Sequence, residues 1–284
     1  MTISKAPPDI SVIPDINLSL ERVVPVSARR RTVPRWLRRP VVPLLLLGLW
    51  QVLSSTGALD PTVLASPGTV ARAAADLVSS GQLPTAMGVS LRRVLAGLAI
   101  GGVAGTGLAL VAGLSRLGED TVDATVQMLR TVPFVGLIPL LIIWLGIGEA
   151  PKIALISLGV TFPLYLNVYA GIRGVDEQLV EAGSSLGLSR WGLVRHVVLP
   201  GALPGLMTGL RYALATSWLA LIFGEQINAD AGIGFLLNQA REFYRTDQIV
   251  VCLVIYALLG LTADAVVRTL ERLLLQWRPT FTGQ

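Results

Sequence analysis

Residues 176–205 form a polar island rich in turn-forming residues, set between two long apolar stretches. Asp176 can cap a helix running to about Leu186, because its carboxylate can accept the free amides of a first helical turn. Gly187 suits the left-handed residue that ends such a helix. Ser189 can cap a second helix, predicted over Arg190–Val198 and ended at Pro200, which has no amide to donate. The spacing predicts a helical elbow. Two readings stay open on these residues: a DNA-binding helix-turn-helix with an arginine-bearing second helix, or a rigid docking knob that takes a push from a partner.

Catalytic chemistry is hard to assemble. A phosphate loop needs a lysine after a glycine, and the only lysines, Lys5 and Lys152, do not follow one, so the chain is not itself an ATPase. A single cysteine, Cys252, rules out an intrachain disulfide and a multi-cysteine metal site. His196 is the only histidine, so a histidine metal cluster or a Ser-His-Asp arrangement has little to work with. No catalytic residue, metal or bound cofactor is expected. An ion-coupled secondary transporter remains as a rival class. It would need buried carboxylates or histidines, and the candidates inside the spans are few: Arg130 near an inner end, Glu225 near an outer end and Asp264, one turn from an Arg268 that can pair with it. Glu149 and Glu225 are expected at the outer mouth.

The elements that must carry the elbow are apolar. Hydrophobic residues make up 52% of 284 and charged residues 14%, against about 25% charged in soluble domains; mean hydropathy is +0.65. This composition predicts an all-α polytopic membrane protein. Six spans are expected, at about 41–55, 94–114, 122–147, 151–172, 203–223 and 249–270, in a transmembrane domain covering 36–284. The first is short for a bilayer that needs about 20 residues. Amphipathic stretches at 69–77 and 84–93 are predicted to lie outside the spans, the second along the outer surface. Gly97, Gly101 and Gly105 recur at intervals of four, as do Gly205 and Gly209. Each row makes a helix face without side chains, on which another backbone can approach closely. Pro133, Pro139 and Pro163 should kink the third and fourth spans.

Residues 1–35 carry five prolines and most of a basic cluster, Lys5, Arg22, Arg29, Arg30, Arg31 and Arg35, and read as a disordered cytoplasmic tail. That flank holds the N-terminus inside, and six spans then put the C-terminus, with Arg268, Arg272 and Arg278, and the elbow inside as well. Only Arg72, Arg92, Arg93, Lys152, Arg241 and Arg245 fall outside. Arg92 and Arg93 are the awkward pair, expected to snorkel from a surface helix. An elbow pinned between membrane spans has no room to enter a DNA groove, so nucleic acid is not an expected partner.

Glu181-Ala182-Gly183, Gly187, Val197 and Leu199-Pro200 resemble the "EAA" loop of ATP-binding cassette (ABC) importer permeases. Gly183 stands where a third alanine is usual and Val197 where isoleucine is. From about Leu44 to Arg278 the chain is similar to the nitrate, sulfonate and taurine group of these permeases, with likeness to its aliphatic sulfonate branch. The runs that carry the likeness are Met128-Leu129-Arg130-Thr131-Val132-Pro133, Trp144 to Glu149, Gly187 to Trp191, Gly224 to Ala229, Ala231 to Phe235 and Arg245-Thr246-Asp247.

That resemblance implies a type I importer permease fold, multi-pass in the bacterial cytoplasmic (inner) membrane and paired with a second copy of itself. It implies an ATPase dimer that binds ATP and magnesium, and a periplasmic or lipid-anchored solute-binding protein. Glu181 would be the charged contact to the ATPase, with Ala182, Gly183, Gly187, Leu188, Ser189, Arg190, Leu199 and Pro200 completing the coupling loop, 176–200. The outer segment Glu225–Gln248, with a helix at 235–243, would belong to a gate or to the binding-protein contact, and Arg130, Glu225, Arg241 and Arg245 would line a pathway or outer gate. The implied cargo is a small anion, an aliphatic sulfonate, with taurine, nitrate or a thiamine-precursor pyrimidine as alternatives.

Overall fold

A computed structural model describes residues 41–60, 62–275 and 277, so the basic tail 1–35, Trp36 and Arg278 lie outside the described residues. The chain divides into units 1–45 and 46–284. Of the first, residues 41–45 are described and open helix α1 (Val41–Ser55). At 1.5 Å per residue α1 is roughly 22 Å long, short of a hydrocarbon layer of about 30 Å.

Within the second unit, α2 (Pro67–Ser79) starts where the Ser66 hydroxyl accepts the Thr69 amide at 3.2 Å and Pro67 occupies the first turn. Helix α3 runs unbroken over Gln82–Leu114. The stretch 84–93 is therefore no separate surface helix, because Pro84 lies in the first turn, where its missing amide costs no hydrogen bond, and nothing interrupts the helix afterwards.

The stretch expected as one span at 122–147 is two helices, α4 (Arg116–Leu129) and α5 (Phe134–Leu145), bent by 82°. The break falls at residues 130–133. Pro133 cannot donate into a continuing helix and forces the residue before it away from helical geometry. A π-helical turn, Glu119–Asp123, interrupts α4. Gly146 and Gly148, at φ +78° and +146°, then turn the chain into α6 (Glu149–Arg173).

Four further helices follow, α7 (Glu177–Ser185), α8 (Arg190–Ile227), α9 (Ile233–Glu242) and α10 (Thr246–Leu274), with the elbow formed by α7 and the start of α8. Among the described residues four helices are long and apolar enough to cross a membrane, α3, α6, α8 and α10, or five if the bent α4 and α5 count as one.

Helix α6 is the centre of the packing. A Cβ on Gly105 would sit 2.5 Å from the Thr161 carbonyl oxygen, and side chains on Gly97 or Gly101 would overlap Ile156 and Ser157. On its other flank Gly205 and Gly209 abut Asn167 and Leu164 of α6. Backbone-to-backbone approach of this kind makes α3, α6 and α8 one close-packed block. Pro163 leaves the Gly159 carbonyl without its intrahelical donor, and the Thr216 hydroxyl of α8 supplies one at 2.8 Å. Near the C-terminal end of α6, Tyr165 and Tyr169 stack at 5.8 Å. Their hydroxyls donate to Asp123 at 2.8 Å and Glu119 at 2.9 Å, and Arg173 pairs with Glu119. The π-turn of α4 is thereby tied to the end of α6 that leads into the elbow.

Candidate functional site

The elbow opens where Asp176 accepts the Gln178 amide at 2.9 Å. It turns at Gly187, φ +83°. There the Leu188 amide donates to the Gly183 carbonyl at 3.1 Å and the Gly187 amide to that of Ser184 at 3.0 Å. This pair of bonds is a Schellman motif, which closes a helix on a left-handed glycine. The Ser189 hydroxyl then accepts the Gly192 amide at 3.2 Å and starts α8.

Pro200 does not end the second helix. A π-helical turn over Val194–Val198 widens the backbone just ahead of it, and α8 continues through the proline into the span. The wider turn shifts the hydrogen-bond register, so the missing Pro200 amide falls at the start of the next helical segment. The elbow is thus rigidly continuous with α8 on one side. On the other, Gly174 and Val175 join it to α6.

Gly183 is buried in the crook, where a Cβ would lie 2.7 Å from Leu193 and 3.3 Å from Leu188. Glu181, Ala182, Gly187, Leu188, Ser189, Arg190 and Leu199 are exposed and Pro200 is half-buried. Leu186 and Trp191 are 85% and 69% exposed. An acid beside large uncovered apolar side chains, on a rigid bend, suits insertion into another protein's cleft.

The other predicted residues sit elsewhere. Arg130 is exposed at the break after α4. Arg241 is exposed and donates to Asn238 at 2.6 Å, and Arg245 is exposed and lies 3.9 Å from Asp247. Asp264 pairs with Arg268 at 2.9 Å and lies 3.5 Å from Arg211.

Glu225 is fully buried with partners that the sequence reading did not assign to it. Arg93, 2% exposed, donates to Glu225 at 2.6 Å and to the Ala231 carbonyl at 2.6 Å. Its other face holds Glu149 in a two-pronged pair at 2.7 and 2.5 Å. The Ser90 hydroxyl donates to Glu225 at 2.7 Å and accepts the Ile233 amide at 2.9 Å, while the Gly234 amide donates to Glu225 at 2.8 Å. Buried Lys152 donates to the Gly148 carbonyl at 2.9 Å and lies 3.7 Å from Glu149. Two buried cations thus face two carboxylates, and the exposed Arg92 lies 3.9 Å from Glu149. Arg93 therefore does not snorkel: with Glu225 on α8 and Glu149 on α6 facing it, burial as a paired fork replaces its hydration.

Residues 97–276 match the family described as the binding-protein-dependent transport system inner membrane component. The chain belongs to this family. It is 47% identical over 252 residues to a protein of Escherichia coli (strain K12) named as an aliphatic sulfonates transport permease, SsuC, covering 88% of this chain and 96% of that one. A Bacillus subtilis (strain 168) protein of the same name is 36% identical over 248 residues, covering 87% and 90%. Among solved structures, an amino acid ABC transporter with histidines matches with TM-score 0.59 at 17% identity, over 70% of this chain and 96% of that one, a likeness of fold.

The permease is therefore a multi-pass inner-membrane component of a transport system, and its relatives are transport subunits rather than enzymes. Family membership implies an ATPase partner and a solute-binding protein in general terms. Ion-coupled secondary transport loses its footing: Asp264 is held by arginines, and Glu149 and Glu225 are engaged by Arg93.

Ser90, Arg93, Glu149 and Lys152 were the residues whose joint placement the sequence concealed. One signal was present. An arginine pair on the outer side, where the charge rule disfavours it, together with two acids expected at the same mouth, is what a buried ion cluster looks like before folding.

Proposed function

We propose that this permease is the translocating subunit of a type I ABC importer for aliphatic sulfonates. In this reading six spans cross the membrane: α1, α3, the bent α4 and α5 pair, α6, α8 and α10. Both termini and the elbow then face the cytoplasm. Two copies pair, an ATPase dimer holding ATP and magnesium docks on the two elbows, and a periplasmic or lipid-anchored binding protein delivers the anion from outside.

The observation that carries this reading is the elbow: a capped, glycine-turned bend with an exposed acid and apolar knob, continuous with α8 and adjoining α6. A rigid bend between packed helices transfers a rigid-body shift of a docked subunit to the spans. The sulfonate cargo rests on the likeness to the sulfonate permeases of two organisms.

In a strain lacking its own sulfonate permease, the chain co-expressed with its ATPase and binding protein should restore uptake of labelled ethanesulfonate. Uptake of taurine or nitrate alone, with no ethanesulfonate accumulation, would contradict the cargo. Hydrolysis of ATP by the purified permease without its partner would contradict the division of labour.

A further inference from the structure

The ion cluster lies where α3, α6 and α8 meet a short turn, Ala231–Gly234, that leads into α9. Three bonds fasten that turn to the helices, and two more hold the carboxylate it rests on. The Ala231 carbonyl accepts from Arg93, the Ile233 amide donates to Ser90, the Gly234 amide donates to Glu225, and Ser90 and Arg93 themselves hold Glu225. The turn is built for this fit. Gly232 adopts φ +117°, and a Cβ there would lie 2.6 Å from the Glu225 carboxyl carbon, while a Cβ on Gly234 would meet the Glu225 stem at 2.5 Å. Only glycine lets the backbone settle on a buried carboxylate this closely. The turn is also one wall of an open groove of about 390 Å³, whose polar lining comes from Ser80, Gln82, Thr85, Asp230 and Gln239.

We infer that the Ser90, Arg93 and Glu225 cluster is a positioning device for the solute-binding protein's docking place, and that the groove beside Ala231–Gly234 receives a polar loop of that protein. This rests on the importer reading. Hydroxyls, amides and one carboxylate on the groove suit a loop rich in hydrogen-bonding groups with a basic side chain for Asp230. Helices α3, α6 and α8 are one close-packed block, and α6 and α8 flank the elbow. A turn pinned to that block registers a docking event outside in the same rigid body that the ATPase grips. Arg93 and Ser90 act through the turn.

The test uses the complete complex of permease, ATPase and binding protein in proteoliposomes, with ATP hydrolysis measured against binding-protein concentration. Ser90→Ala removes the bridge between Glu225 and the Ile233 amide while keeping the Arg93–Glu225 pair. It should raise the half-maximal binding-protein concentration at least about tenfold, the shift expected when a neutral hydrogen bond to the Ile233 amide and a stronger one to the Glu225 carboxylate are lost. Hydrolysis without binding protein and the maximal stimulated rate should stay unchanged, and Ser90→Thr, which keeps the hydroxyl, should restore the wild-type curve. Gly232→Ala should shift the half-maximal concentration in the same direction, and so should Thr85→Trp, which fills the groove. An unchanged half-maximal concentration in Ser90→Ala overturns the positioning role, as does a fall in basal and maximal rates together with assembly. An unchanged one in Thr85→Trp overturns the groove assignment. If the wild-type complex is not stimulated by solute-loaded binding protein at any concentration, it is the importer reading itself that fails.

Discussion

Arg93→Met is expected to lose most of the folded permease. The methionine fills the space of the stem, but Glu225 then sits fully buried with hydrogen bonds from Ser90 and Gly234 and no cation. Breaking a buried pair by removing one partner costs about 3–5 kcal/mol, a large share of a typical stability of roughly 5–15 kcal/mol. Glu149→Gln removes the other carboxylate, whose side chain is 43% exposed, and Arg93 keeps its pair with Glu225, so the loss should be smaller than for Arg93→Met. Pairing Arg93→Met with Glu225→Gln should recover part of the stability, because a neutral amide can keep hydrogen bonds to Ser90 and the Gly234 amide without needing a counter-ion. The chain supplies its own reporter: Cys252, the single cysteine, is buried, so a thiol-reactive fluorophore added in detergent reports unfolding as temperature rises. Equal midpoints for Arg93→Met and Glu149→Gln would show that the buried limb carries no special weight.

Gly183→Phe is expected to reduce transport at least about tenfold while leaving the permease in the membrane. Its ring would enter the crook between α7 and the start of α8, where Leu193 and Leu188 already fill the space. Overpacking a tight contact costs about 1–3 kcal/mol or is relieved by moving backbone, and here the easy movement is to splay the elbow. The clash is confined to the crook and leaves the packed faces of α3, α6 and α8 untouched, so insertion and the thermal midpoint should change little, whereas capture of the ATPase subunit on affinity resin should fall in step with uptake. Gly187→Ala should act through backbone strain instead. There is open space around Gly187, but its φ of +83° penalises any side chain by about 1–2 kcal/mol, giving a milder loss. Full ATPase capture with normal uptake in Gly183→Phe would remove the elbow from the coupling path.

Much of this architecture is written in local sequence. The caps at Asp176 and Ser189, the stop at Gly187 and the small-residue rows on α3 and α8 follow from what each residue type can do within one or two turns, so spacing alone exposes them. What stayed hidden depends on neighbours distant in sequence. Pro200 looks like a terminator until a π-turn upstream absorbs it, and Pro133 does break its helix although the apolar run continues on both sides. Arg93 looked like a surface arginine because its partners lie 56 and 132 residues away. The serine that ties the turn to Glu225 has no signature of its own. Periodicity places a residue on a face, and only the packed fold shows which charges those faces bring together.

The proposed bend between membrane spans faces the cytoplasm and takes the thrust of a separate ATPase. Leu186, 85% exposed at the tip of the bend, is the place to probe it, as Leu186→Cys with Cys252→Ala, using a membrane-impermeant maleimide on intact cells and on inside-out vesicles. Labelling should occur only in the vesicles and should be blocked when the ATPase subunit is bound. Labelling from the outside of intact cells, or labelling in vesicles that the ATPase leaves undiminished, would rule out the bend as the ATPase's docking place.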